Sequence, residues 1–261
     1  MSRLHVTRRT FLSAWTALLI PSWLAAEPLA RRGPYTADVG ILYSLFTFHL
    51  EGALEEAIDR GAGRYQIQVT GQGDGIANRI ESSGELRDGR WVPLRGASWF
   101  SVRGRESRVR IVYDYDRKQV EYHARGETFF LRRVRVVDDV VPIPDGAVVD
   151  DALTATLNYR DGLWKPGTDG RLRTHIVRRK RSESEGPDDV ASAYRAELLP
   201  LDLRVEPEPQ TRKPSALLDL SGFSSWAHKD RPARIVFDEQ RRPALITGTL
   251  ALGTTLTIRL G

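Results

Sequence analysis

The sequence predicts a mostly β protein: a single curved antiparallel sheet, or an open β-barrel or sandwich, with one short helix. Three observations predict it. Alternating apolar and polar residues recur, as in Tyr65, Ile67 and Val69 against Gln66, Gln68 and Thr70, and a period of two marks a strand with one buried face. Turn signals separate these runs, chief among them Asp88-Gly89, favoured in two-residue hairpins because both central residues take positive φ. Only the segment after Asp150 carries helical spacing with a glycine stop. The 261 residues suit one β unit, since sandwiches and barrels reach roughly 200 to 250 residues as single domains. With 41% hydrophobic and 28% charged residues, the chain can build a core and falls outside the disordered class.

Taken in order, the chain opens with Thr7-Arg8-Arg9-Thr10-Phe11-Leu12, which matches the twin-arginine export signature. The apolar run from Phe11 to Ala26 has 16 residues, short of the roughly 20 that span a bilayer, and Pro21 interrupts it. Residues 1–26 therefore read as a cleaved signal peptide, with Arg8, Arg9, Phe11 and Leu12 as the export signal and Leu24 and Ala26 forming the cleavage pattern. The expected mature chain begins near Glu27, with a flexible stretch over 27–38 and a single all-β domain over 39–261. No cysteine follows the apolar run, which excludes a lipoprotein anchor. The expected product is periplasmic or secreted, has the twin-arginine machinery as a partner, and keeps no integral membrane segment after processing.

Composition narrows the chemistry. The net charge of +5 includes Arg3, Arg8 and Arg9, and without the first 26 residues 36 basic side chains face 34 acidic ones. Nucleic acid is recruited by a concentrated positive surplus, so it is not an expected partner. The absence of cysteine excludes disulfides, thiolate metal sites and cysteine nucleophiles.

From Val39 the pattern is strand-like. Ile41 to Leu50 reads as one core strand; Gly52 to Arg60 is compatible with helix or strand; Gly63 to Thr70 alternates cleanly. Gly71, Gly73 and Gly75 mark a turn or bulge, so the chain reverses twice between Gly71 and Phe100. A meander follows: Val109, Ile111, Tyr113 and Tyr115 at period two, a turn at Asp116-Arg117-Lys118, a return over Gln119 to Arg125, and a strand from Glu127 to Val137. Pro142 and Pro144 close that block. Asp150 then caps a helix in which Leu153 and Leu157 stand four apart and Gly162 ends the run. Later runs read as strands, with Pro243 at an edge or a strand start, and 182–190 and 206–214 read as loops or a lid.

No constellation meets the requirements of a catalytic or metal site, and no cofactor is expected. His49, His123, His175 and His228 lack the i, i+4 spacing of a helical zinc site, although the first three lie in strands that can converge. Asp114-Tyr115-Asp116 begins like a calcium loop, but Lys118 occupies the position of the next oxygen ligand. Gly222 to Trp226 begins like a nucleophile elbow and ends in Trp where glycine is needed. The adjacent acids Glu55-Glu56 and Asp150-Asp151 point in different directions, which is unsuited to general acid and base work on one bond. The cluster Arg178 to Arg181 runs into Glu183 and Glu185 and reads as a solvated strand end neutralised by its own loop.

A set of short motifs resembles the exported bacterial domain of unknown function family 3108 (DUF3108). It comprises Gly63-Arg64-Tyr65-Gln66-Ile67, Ser83-Gly84, Trp91-Val92-Pro93, Tyr113-Asp114, Asp150 to Leu157 with Tyr159-Arg160, and Arg242-Pro243-Ala244. The resemblance spans roughly residues 40 to 255 and implies a secreted, mostly β protein without an assigned reaction.

The sequence-level expectation is a non-catalytic carrier or assembly protein of the cell envelope. Its ligand would be a lipid or other amphipathic molecule, held by an apolar cavity within the curved sheet. Phe46, Phe48, Phe129 and Phe130 are the expected cavity-lining residues. Two alternatives stand beside it: an envelope carbohydrate hydrolase using strand-borne carboxylates such as Glu55, Glu81 or Asp114, and an interaction module that offers a sheet edge to a partner strand.

Overall fold

In the computed structural model the described residues are 29–41, 46–128, 131–182, 185–186, 188–223, 227, 230–250 and 253–261. They form fifteen strands and one helix. The first eight strands are β1 (Leu29–Ile41), β2 (Phe46–Asp59), β3 (Arg64–Gly73), β4 (Ile76–Arg87), β5 (Arg90–Val102), β6 (Arg105–Asp114), β7 (Gln119–Glu127) and β8 (Val134–Pro142). A two-residue β9 (Val149–Asp150) leads into the helix α1 (Ala152–Arg160). The chain continues through β10 (Arg171–Arg179), β11 (Ala196–Pro207), β12 (Pro214–Leu218), β13 (Ala233–Phe237), β14 (Pro243–Thr249) and β15 (Thr255–Leu260). All strands join one open sheet in the order β8-β7-β6-β5-β4-β3-β2-β1-β15-β14-β13-β12-β11-β10-β9. Every ladder is antiparallel except the short parallel pairing of β9 with β10.

Turn chemistry drives the first half. Asp74-Gly75, Asp88-Gly89 and Arg103-Gly104 are each the two central residues of a hairpin, and all six have φ between 48° and 77°. Such turns match the right-handed twist of the strands they join. Between Ser83 and Gly84 the register with β5 slips by one residue. That bulge accommodates the buried Pro93, which cannot donate to a ladder. Gly84 is required there, because a Cβ would stand 2.0 Å from the Val92 carbonyl oxygen.

The ladder does not close, yet the sheet curls until its two ends meet, with β8 against β11 and β7 against β10. Tyr113, Val120, Tyr122, Val137 and Val141 from β6–β8 share a core with Val149 and Val177 from the other end. Ala196 N donates to Asp139 Oδ2 at 2.8 Å across the same junction, and Arg195 pairs with Asp139 at 3.1 Å. Helix α1 lies inside this curl. Leu157 packs with Ile58, Tyr65, Ile67 and Trp91, whereas Ala155 and Tyr159 pack with Leu172, Leu201, Leu203 and Phe237. A helix covered on several sides has no need of a single apolar stripe.

Several expectations are corrected here. The stretch 27–38, expected to be flexible, belongs from Leu29 onward to β1, which is paired on both sides. The run Ile41 to Leu50 is not one strand: Ile41 pairs with Phe46 in an antiparallel ladder, so the chain reverses between them. Glu127 to Val137 likewise contains a reversal, with Glu127 paired to Val134. In both places apolar residues continue through the reversal in the sequence, so no turn signal interrupts the run. The single helix that the sequence predicts packs inside the curl of the sheet. The strand end at Arg178 and Arg179 is not solvated, since both side chains are 16% exposed; the loop does neutralise it through Glu185 on Arg179, and Glu197 of β11 pairs with Arg178.

Candidate functional site

The junction of β9 and α1 places two adjacent acids at the centre of the molecule. Asp151, with φ −102° and ψ 175°, is the helix N-cap. Its Oδ1 accepts from Thr154 N at 2.8 Å and from Thr154 Oγ1 at 2.9 Å, and its Oδ2 accepts from Ser82 Oγ at 2.6 Å. Tyr65 Oη joins this group, 2.5 Å from Thr154 Oγ1 and 3.0 Å from Ser82 Oγ. The cap was expected at Asp150; that residue instead closes β9 and is fully buried. Its Oδ2 accepts from Arg90 and, at 2.6 Å, from Thr174 Oγ1, and its Oδ1 accepts from Asn158 Nδ2 at 3.3 Å. Asn158 also bonds both backbone groups of Trp91, at 3.0 and 2.9 Å, in the manner of a ladder partner.

Burial raises the Asp151 carboxyl above its ordinary range, opposed by the bonds from Ser82 and Thr154. Burial raises Asp150 as well, opposed chiefly by Arg90. Burial also raises the phenols of Tyr65 and Tyr115, which stay neutral hydroxyls. Tyr113, wholly enclosed beside them, has a hydroxyl without a partner. The acids are thus engaged by protein groups, and neither lines the cavity or groove described next. Their arrangement fixes α1 in the sheet and presents no reacting face.

Beside this network, α1, β3 and β14 enclose a cavity of about 150 Å³. Leu54, Ile67, Leu153 and Ile246 supply apolar walls, and Glu56 and Arg160 stand at its polar side. Arg160 Nη1 donates to both Glu56 oxygens, at 3.0 and 2.9 Å, and its Nε donates to Asp161 at 3.2 Å. Its Nη2 is buried without an acceptor.

The sequence-predicted residues fare unevenly. Phe48 was expected on the wall of an open interior. It is buried in a packed cluster with Tyr35, Leu50, Val69 and Ile76, and it does not line the cavity. The side chain of Phe46, and Phe129 and Phe130 entirely, lie outside the described residues. So do Arg8, Arg9, Phe11, Leu12 and Ala26, together with His228 and 224–226. His49 sits between Asp38 (2.6 Å) and Glu51 (3.0 Å), His123 lies 2.5 Å from Asp138, and His175 lies 3.0 Å from the Val148 carbonyl. Among the described residues no three metal-ligating side chains come together. Glu55 pairs with Arg32, Glu81 with Arg79, and Asp114 accepts from the Arg117 backbone in its own turn. These acids serve separate local contacts. The sheet ends in β8 on one side and the two-residue β9 on the other, and side chains of β8 bond the segment leading into β11, Arg135 to the Asp189 carbonyl and Asp139 to Ala196 N.

Sequence reasoning missed Ser82, Arg90, Thr154, Asn158, Thr174 and Arg160. A signal for two of them was present, because Thr154 and Asn158 follow Asp151 at helical spacing. No family model, no curated protein and no solved structure matches this chain. No helix of the described residues is long and apolar enough to cross a membrane, which leaves strands untouched by that statement.

Proposed function

We propose that this chain is a non-catalytic binding protein of the cell envelope, exported through its twin-arginine segment, that takes a small amphipathic molecule into the cavity beside α1. The observation that carries the reading is the cavity's two-sided chemistry. Its walls are aliphatic, and its polar side holds a guanidinium with one N–H pair left unbonded. An unmet buried donor carries a cost of about 1–3 kcal/mol, which an acceptor on a ligand headgroup removes. A volume of about 150 Å³ is of the size that admits a benzene-sized guest into a protein core. The ligand's apolar part is therefore compact, and any longer tail leaves through the mouth. Asp150 and Asp151 act in this reading as the frame that holds α1, and with it the Leu153 wall.

Native mass spectrometry of the protein purified from its own host, before and after organic extraction, tests the proposal. The expected result is a discrete extra mass that extraction removes and that is absent from Ile246→Trp, in which the indole fills the cavity. A bare chain mass throughout, or an adduct retained by the filled variant, overturns it.

A further inference from the structure

The outward face of β4–β8 carries a second feature, distinct from the cavity. Register stacks its side chains in rows across the strands. Arg79, Trp99, Arg108, Arg125 and Val136 form one row, and Glu81, Ala97, Arg110, His123 and Asp138 the next. The intervening positions, such as Tyr113, Tyr122 and Val137, point into the core, so these rows face solvent. Together they line an open groove of about 770 Å³. Four arginines meet there across four strands, about 14 Å at ordinary strand spacing.

Internal partners do not use up this charge. Arg79 donates to Glu81 and Gln68, and Arg108 to Glu106. Arg110 and Arg125 are exposed and close no hydrogen bond or ion pair among the described residues. Arg108 and Arg125 are also direct cross-strand partners, a like-charge juxtaposition that destabilises a sheet unless an anion lies between them. Trp99 lies half-exposed in their row with its neighbours Arg79 and Arg108 on either side.

We propose that this groove binds an acidic glycan, a chain of sugar rings bearing carboxylates. A guanidinium fork takes a carboxylate through two parallel hydrogen bonds, which suits Arg110 and Arg125. The negative face of the Trp99 ring attracts the polarised C–H bonds on one face of a sugar. Glu81 and Asp138 add carboxylate oxygens that accept from hydroxyl groups, which a glycan has in number. A single-stranded nucleic acid presents a comparable charge per residue but few hydroxyl groups for Glu81 and Asp138 to accept from, and it is the competing occupant in the test.

Affinity electrophoresis through gels containing polygalacturonate, neutral dextran or a single-stranded oligonucleotide tests this assignment. Wild type is expected to be retarded by polygalacturonate alone. Arg110→Gln/Arg125→Gln and Trp99→Ala each weaken that binding about tenfold or more, the loss of at least one charge-assisted or stacking contact, and the arginine variant shows no fall in melting temperature, since it removes a like-charge pair. Arg204→Gln, on an exposed site of β11, leaves it intact. Equal retardation by dextran, retention of binding in the double arginine variant, or tighter binding of the oligonucleotide overturns the proposal.

Discussion

The two ends of a single peptide unit, Asp150 and Asp151, occupy different regions and obey different electrostatics. Around Asp150 the sheet supplies a cation: Arg90 from β5 meets its carboxylate, and Thr174 and Asn158 fill the remaining acceptor sites. Around Asp151 the helix cap supplies hydroxyls and one backbone N–H, with no cation. Asp150 is fully buried and Asp151 half-buried, and desolvation raises both. What differs is which form the surroundings favour. A guanidinium contact favours the carboxylate, whereas hydroxyls can donate to a carboxylate or accept from a carboxyl.

The sharpest way to break the comparison is Asp150→Ala. It leaves the Arg90 guanidinium, 17% exposed, without its counter-charge, and removal of one partner from a buried pair costs about 3–5 kcal/mol. Urea denaturation of the variant reads that loss. A cost equal to that of Asp151→Ala would remove the distinction drawn between the two sites.

Asp151→Ala is expected to cost about 1 kcal/mol through the lost cap, and Asp151→Asn much less, since asparagine caps nearly as well. The pH dependence separates them further. A folded carboxyl raised above its ordinary 3.8 binds its proton more tightly than the unfolded chain does. Its contribution is therefore present below that ordinary value and is lost as pH rises through the folded value. The stability of Asp151→Asn relative to wild type should improve as pH rises above the ordinary carboxylate value of 3.8. Denaturation midpoints of both proteins across that range check the sign, and a relative decline contradicts the raised value.

The smallest expected effect is Tyr113→Phe. Its hydroxyl is buried without a partner, so its removal should stabilise the fold by about 1 kcal/mol in thermal or urea unfolding. A loss of stability would mean that the phenol donates to this network after all, and would assign Asp151 a further donor.

Legibility in the sequence followed the range of the forces involved. The alternation over Tyr65 to Thr70 and the hairpin at Asp88-Gly89 rest on neighbouring residues and were readable directly. The hairpin at Arg103-Gly104 carried a weaker signal, because arginine is an unusual occupant of its positive-φ position. Two reversals, after Ile41 and after Glu127, were hidden because apolar residues run through them in the sequence. At the candidate site the helical spacing of Asp151, Thr154 and Asn158 was visible, but their partners were not. Ser82 lies 69 residues from Asp151, and Arg90 lies 60 from Asp150.

By itself, then, the sequence determined the period of its strands, most of its turns and the presence of one capped helix, since backbone sterics and side-chain alternation act between near neighbours. Only the tertiary structure decided that the sheet curls around that helix, which of two identical acids caps it and which meets an arginine, and that four arginines share one outward face. Those outcomes depend on strand register and on the meeting of distant segments, where a shift of one residue exchanges the core face for the solvent face.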